Sequence, residues 1–166
     1  MTEIPTRIAN FTLRRATPGD AAMLLTFMQS LGAYQKMAAD ITATESSLRI
    51  LLTNRQGEAI FGYLGEQPVG FMYFNQTSSA FTGRSGLFID GFLVNADQRH
   101  LGLGRVMMAW LAQEAQARGC QMLEWGVLDW NAPAIAFYQG FGAYCLDIMH
   151  IYRMPPDRLQ ALAADF

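Results

Sequence analysis

An apolar run, a glycine-rich turn and a helix-like run follow one another without interruption between residues 87 and 118. Residues 87–95 have the length and composition of a strand, and residues from about 103 to 118 carry apolar side chains at helical spacing. Between them, the heptad RHLGLGR (99–105) carries two glycines, which allow a close approach of the backbone to a ligand. Because the N–H groups at the start of a helix favour negative charge, this strand–turn–helix unit predicts an anion-binding site.

The rest of the chain predicts an α/β protein built on one mixed sheet. Capping residues indicate helices that begin near Thr17, Thr42 and Asn131. Strand-like patterns occur at residues 9–16, 58–65, 67–76, 121–128, 143–148 and 150–154, and residues 155–166 can form a short terminal helix. The order β-α-α-β-β-β-α-β-α-β-β lacks the regular alternation of a doubly wound fold and fits a single α+β domain over residues 1–166.

Charge and composition exclude several classes of function. A net charge of −2 gives no electrostatic basis for a nucleic-acid partner. No apolar run approaches the roughly 18 residues of a membrane span, and no basic segment precedes an apolar one at the N-terminus, so we expect a cytoplasmic protein without a secretory signal. Cys120, Cys145, His100 and His150 form no zinc motif, and no metal is expected.

The heptad fits one of three phosphate-binding patterns. A Walker A loop needs a lysine after its last glycine, but Gly104 is followed by Arg105. A dinucleotide fingerprint needs a third glycine, and Met107 takes that place. The pattern that remains is R-x-x-G-x-G, formed by Arg99, Gly102 and Gly104, although a plain glycine turn stays open as a structural explanation.

The R-x-x-G-x-G turn and the later stretch WNAPAIAFYQGFGA (130–143) occur in the order and spacing of a known family. Together they resemble the acetyl-CoA-binding core of the GNAT N-acetyltransferase superfamily, over nearly the whole chain. The segments IDGFLVNADQRHLGLG (89–104) and WNAPAIAFYQGFGA look most like those of the spermidine/spermine (diamine) acetyltransferases. The resemblance implies a GNAT fold, acetyl-CoA as co-substrate, direct transfer to a primary amine in a ternary complex, and a homodimer.

The resemblance also implies which residues hold the donor. Tyr138 matches the tyrosine that the family places near the CoA sulfur, where it acts as a general acid toward the leaving thiolate. Gly91, in the middle of a strand, indicates a bulge or a close backbone approach. The implied donor-binding residues are Phe92, Leu93, Val94, Arg99, His100, Leu101, Gly102, Leu103, Gly104, Arg105, Asn131, Pro133, Ala134 and Tyr138.

The sequence offers fewer candidate residues for binding the acceptor amine than for binding the donor. Asp90 matches the glutamate of the diamine enzymes and is expected to act as base or anchor, while Glu124, Trp125 and Tyr34 are candidates for the acceptor pocket. The segment QKMA (35–38), where the diamine enzymes carry acids, has no negative charge, which disfavours spermine. A smaller amine, a lysine-like amino acid and a peptide amine stay open. The alternative from another class is a non-catalytic acyl-CoA-binding domain.

Overall fold

The computed structural model describes residues 3–166, which divide into two compact units. The first unit runs to Leu128, and the second runs from Asp129 to Phe166. Each unit is described by itself below.

The first unit is built on a six-stranded sheet whose strands lie in chain order. All neighbouring strands are antiparallel except the last two, which are parallel. The strands are β1 (Glu3–Pro5), β2 (Phe11–Arg15), β3 (Glu58–Leu64), β4 (Gln67–Ser79), β5 (Arg84–Val94) and β6 (Met122–Trp125). The helices are α1 (Ala21–Tyr34), α2 (Glu45–Thr53) and α3 (Leu103–Ala117), with short 3-10 turns at Pro18–Asp20, Ala38–Asp40 and Ala96–Gln98.

Helices cover both faces of this sheet. On one face, α1 and α2 bury their apolar stripes against β3, β4 and β5. The rings of Phe27, Phe61 and Phe71 form the centre of this layer, with Phe27 lying 5.3 Å from Phe71 and 5.8 Å from Phe61 between centroids. On the other face, Trp110 of α3 meets Phe74 of β4 edge-on. The mixed α/β class expected from the sequence is therefore confirmed, with α3 on the face opposite α1 and α2.

Several elements of the first unit differ from the sequence-based expectation. Helix α2 is capped by Thr44, whose hydroxyl accepts from the Ser47 amide, and not near Thr42, because the Thr-x-x-Ser pair forms a capping box of its own. Residues 77–86, expected to be a loop, belong mostly to a long hairpin in which β4 and β5 stay paired as far as Ser79 and Arg84. Strand β1 was not expected.

The second unit contains α4 (Ala132–Gln139) and α5 (Pro156–Ala163). The short terminal helix expected at 155–166 is confirmed, but the strands expected at 143–148 and 150–154 are wrong, because no strand forms there. Tyr144, Ile148 and Ile151 of these segments are exposed. A strand needs a neighbouring backbone to pair with, and an alternating apolar pattern alone does not supply one.

A charge network joins β2 and β3 to α3 in the first unit. Arg118 donates through Nη2 to Glu58 Oε2 at 2.8 Å and through Nε to Glu114 Oε1 at 2.8 Å. Arg15 also pairs with both carboxylates. The hydrogen bond from Arg118 holds the pKa of the Glu58 carboxyl below its ordinary value. The ion pairs of Glu58 therefore stabilise the fold only while its carboxyl is ionised.

Glu58→Gln is expected to lower the free energy of unfolding by about 1 kcal/mol at pH 7. Because the folded-state pKa of Glu58 lies below its ordinary value of 4.5, this stabilisation is fully present above that pH and is lost as the pH falls through the lowered pKa. Urea unfolding of both proteins at pH 7 and at successively lower pH measures the difference. Glu45→Gln, which removes an exposed pair with Arg49, is the matched control and should change little. A pH-independent difference would contradict the prediction.

Candidate functional site

The centre of the candidate site is a β-bulge in β5. Tyr73 of β4 pairs with Gly91 and Phe74 pairs with Ile89, so Asp90 is the extra residue and has no partner on β4. The bulge indicated by Gly91 is confirmed, and it presents Asp90 with an exposed side chain. A Cβ atom at Gly91 would lie 3.2 Å from Phe71 Cζ, so this position is also tightly packed from the α1 face.

Beyond the bulge, β5 continues past the end of its pairing with β6. The parallel pairing with β6 ends at Ile89 and Trp125, so residues 90–94 have no neighbouring strand on that edge within the part of the chain that the structure describes. Glu124 and Trp125 occupy the last two pairs, opposite Phe88 and Ile89. The strands therefore separate next to Asp90, leaving an edge of β5 with no paired strand in the described residues, and this edge includes the predicted residues Phe92, Leu93 and Val94.

This open edge leads into the predicted turn. His100 and Gly102 both have left-handed backbone, with φ of 66° and 79°. Gly102 is the N-cap of α3, and the first bond of the helix runs from the Val106 amide to the Gly102 carbonyl oxygen at 3.1 Å. The amide groups of the first turn of α3 therefore precede the first hydrogen bond within the helix, and they point along the helix axis. Glycine at 102 permits that conformation without the steric cost that a side chain would bring.

Arg99, the first residue of the R-x-x-G-x-G pattern, is held in place by two contacts. Its Nε donates to the Val94 carbonyl oxygen at 3.2 Å, and its guanidinium carbon lies 4.6 Å from the centroid of the Tyr34 ring. Both side chains line a cleft of about 340 Å³ between the C-terminal end of α1 and the end of β5. The structure thus places Tyr34, which the sequence suggests for the acceptor pocket, against the turn.

Tyr73 was not expected from the sequence to be near the site. It lies opposite Gly91 across the hairpin, and its hydroxyl packs where a Cβ atom at Gly57 would otherwise be. Burial raises the pKa of the Tyr73 phenol, and the negative charge of Asp90 adds to that effect. The register of the β4–β5 hairpin, had it been known, would have revealed this neighbour of Asp90.

The remaining predicted residues lie on α4, in the second unit. Asn131 is the N-cap of this helix, is only 5% exposed, and accepts from the Ala134 amide through Oδ1 at 3.4 Å. Pro133 stands in the first turn, as is common for proline. The ring of Tyr138 is partly buried and meets Phe137 edge-on at 5.2 Å. The capping role of Asn131 is confirmed, while contacts of these residues with a donor stay predictions.

Two structural features are absent from the described residues, 3–166. These residues contain no group of three or more His, Cys, Asp or Glu side chains arranged to hold a metal ion. None of their helices combines the length and the apolar character that crossing a membrane requires.

Comparison with known proteins places the chain in a family. The model of the acetyltransferase (GNAT) family matches residues 25–143. A thialysine N-epsilon-acetyltransferase of Caenorhabditis elegans is 32% identical over 129 residues, covering 78% of this chain and 80% of the relative. The human spermidine/spermine N(1)-acetyltransferase-like protein 1 is 27% identical over 170 residues, covering 92% of this chain but 24% of its own length.

A solved structure shares the fold. The integron cassette protein from the mobile metagenome of V. cholerae superposes with a TM-score of 0.74 at 22% identity, covering 94% of this chain and 99% of that protein. The family match extends over more than half of the chain and includes both the bulged strand and the R-x-x-G-x-G turn. The resemblance noted from the sequence is therefore confirmed: the chain belongs to the GNAT family of acetyltransferases and is an N-acetyltransferase.

Proposed function

We propose that the protein transfers the acetyl group of acetyl-CoA to a primary amine at the end of an aliphatic chain, as in a lysine-like amino acid or a diamine. The observation that carries this proposal is the open edge of β5, which continues past its last pair with β6 and leads directly into the left-handed turn before α3. An extended pantetheine arm can pair with such an edge, and a pyrophosphate suits the helix start that follows.

The donor-binding residues of the first unit fit this ligand. The arm would pair with the backbone of Phe92, Leu93 and Val94, and the pyrophosphate would lie against the turn formed by His100, Leu101, Gly102, Leu103, Gly104 and Arg105. Arg99 adds a cation at the same end of the strand. Such fixed positioning of two reactants can supply about 7–11 kcal/mol of the barrier reduction. Asn131, Pro133 and Ala134 are proposed as further contacts on α4.

Proton transfers decide the roles of two side chains. Acetyl-CoA supplies the acetyl group as a thioester. An alkylamine reaches the site as an ammonium ion, and we propose that Asp90 anchors it or accepts its proton, directly or through water. As the C–N bond forms and the C–S bond breaks, Tyr138 gives a proton to the departing sulfur, and the second proton that the nitrogen loses on becoming an amide returns through solvent to restore the Tyr138 phenol. A backbone N–H of Leu93 or Val94 would stabilise the charge that develops on the carbonyl oxygen.

The charge distribution near the end of α1 supports a small acceptor. The C-terminal end of α1 is followed by Lys36, which is exposed, and by no acid before Asp40. A polycation that approached this end of α1 would be repelled by the Lys36 ammonium, so spermine should be a poor acceptor. Glu124 and Trp125, at the end of β6, are proposed to line the acceptor pocket with Asp90. The N-epsilon position in the nematode relative's name agrees with a side-chain amine.

We further propose that both units act as one catalytic domain, because the family match at 25–143 continues across the boundary after Leu128. A cytoplasmic homodimer is proposed as its working form.

The test is release of free thiol from acetyl-CoA in the presence of lysine, ornithine, putrescine or spermine. We expect thiol release above the amine-free rate with at least one of the first three, slower release with spermine, and a product heavier by one acetyl group. Norleucine, which has the length of lysine but no terminal amine, is the matched control and should give only the background rate. The proposal fails if no amine stimulates release while the protein still binds CoA.

A further inference from the structure

The end of α1 contacts the turn that precedes α3 through the side chains of Tyr34 and Arg99. Arg99 is half-buried, and its guanidinium is restrained on one face by the Tyr34 ring and along one edge by the Val94 carbonyl oxygen. Tyr34 is the last residue of α1, so the contact joins this helix to the end of β5 across a long stretch of sequence. Restraint of this kind lowers the entropy that the arginine loses when it binds a ligand.

The charge of Arg99 is available for a ligand. Within residues 3–166, no carboxylate lies within ion-pair distance of Arg99, whereas Arg14 pairs with Asp20, and Arg15 and Arg118 both pair with Glu58 and Glu114. Its only side-chain hydrogen bond to another described residue uses Nε, which leaves the two terminal nitrogens for a partner. An arginine whose two terminal nitrogens are unused suits a bidentate anion such as a phosphate.

The surroundings of Arg99 favour the same ligand. The cleft that it lines also receives Ser30 and Tyr34 from α1 and Leu93, Asn95 and Asp97 from the β5 side. The Asp97 carboxylate accepts from Gln98 Nε2 at 3.2 Å. The left-handed residue His100 follows Arg99 directly, and the start of α3 comes next. The cation and the helix start therefore stand close together along the chain, where both can contact one pyrophosphate.

We propose that Tyr34 is a positioning residue of the donor site: by stacking on Arg99, it fixes the guanidinium so that its terminal nitrogens receive a phosphate of the acyl-CoA. This proposal rests on the proposed function and assigns Tyr34 to the donor, in contrast to the acceptor role that the sequence suggests. Tyr34 itself contacts no substrate in this scheme and acts through Arg99.

The test compares Tyr34→Leu and Tyr34→Phe by titration with CoA and by kinetics with acetyl-CoA and with S-acetylpantetheine, which lacks the pyrophosphate. Tyr34→Leu should raise the Kd of CoA about threefold to tenfold, because the stacking contact is lost. Tyr34→Phe keeps the ring and should stay close to the unsubstituted protein. The kcat/KM with S-acetylpantetheine and the KM of the amine should be unchanged in both variants.

A double substitution identifies the residue through which Tyr34 acts. Arg99→Gln should weaken CoA binding, and adding Tyr34→Leu to it should have no further effect, because the stacking partner is already gone. Arg84→Gln, at the opposite end of β5, is the matched control for removing a positive charge. If Tyr34→Leu does not fold, Arg99→Lys tests the same stack by removing the planar fork while keeping the charge, and should raise the Kd of CoA similarly.

Several outcomes would overturn this inference. The first is an unchanged Kd of CoA in Tyr34→Leu, or in Arg99→Lys where that variant replaces it. The second is a raised KM of the amine together with normal CoA binding. A loss of kcat/KM with S-acetylpantetheine, or fully additive effects in the double variant, would also contradict it. Failure of the unsubstituted protein to bind CoA would overturn the proposed function and this inference with it. If the unsubstituted protein binds CoA and Tyr34→Leu leaves the Kd of CoA unchanged, only this inference is overturned and the proposed function stands.

Discussion

Tyr138→Phe should lower kcat about 10²-fold while leaving the Kd of CoA unchanged. General acid help is typically worth about 10²–10⁴-fold, and we expect the lower end because a thiol, with an ordinary pKa near 8.5, is already a stable leaving group as the thiolate. Stopped assays of thiol release with saturating amine measure kcat, and titration with CoA measures the Kd.

Two contacts of Tyr138 do not involve its hydroxyl. The edge-on contact of the Tyr138 ring with Phe137 involves ring atoms that phenylalanine retains. The Tyr138 carbonyl oxygen accepts from the Phe141 amide at 3.0 Å and closes the end of α4, and this bond does not depend on the hydroxyl. The variant therefore keeps both of these contacts while it loses the phenolic oxygen. Tyr144→Phe, at an exposed tyrosine of the same unit, is the control and should retain full activity.

Two results would change the assignment of Tyr138. An unchanged kcat would remove the hydroxyl from the chemistry and leave the tyrosine as a packing residue of α4. A rise in the Kd of CoA with an unchanged kcat would make the hydroxyl a donor-binding group instead of an acid.

Local signals predicted the part of the site that is contiguous in sequence. The glycines at 102 and 104, set between a strand and a helix, led to the turn, and Gly91 led to the bulge, because each of these features is determined by neighbouring residues. The contact of Tyr34 with Arg99 and the position of Tyr73 opposite Gly91 were missed. Both depend on how distant segments pack, which no short-range pattern encodes.

The misplaced start of α2 and the missing strands of the second unit have different physical origins. The start of α2 was misplaced because two threonines compete as caps, and Thr44, with Ser47 as its partner, forms the better capping box. The prediction of strands near Tyr144 and Ile151 was wrong for another reason. An apolar pattern indicates side chains that favour burial, but a strand also needs a neighbouring backbone with which to form hydrogen bonds. The family resemblance predicted the N-acetyltransferase activity because it rested on two separate motifs. Neither motif indicates which amine is the acceptor.

Phe71→Ala should lower the free energy of unfolding by about 3–5 kcal/mol. Phe71 is fully buried in β4, lies between Phe61 of β3 and Leu93 of β5, and stacks on Phe27 of α1. Removing the ring leaves a cavity in the layer that joins α1 to the sheet, and this layer is rigidly packed because three strands and a helix meet in it. Domains of this size are stable by about 5–15 kcal/mol, so the variant should lie near the limit of folding.

The position of this cavity makes the prediction relevant to the site. Phe71 Cζ lies 3.2 Å from where a Cβ atom at Gly91 would be, directly beneath the bulge that presents Asp90. A loosened bulge should therefore lower kcat in those molecules that remain folded. Urea unfolding followed by circular dichroism measures the stability, and Phe81→Ala, at the exposed tip of the β4–β5 hairpin, is the matched control with an expected change near zero. A loss below about 1 kcal/mol for Phe71→Ala would mean that the layer repacks around the gap and does not support the bulge.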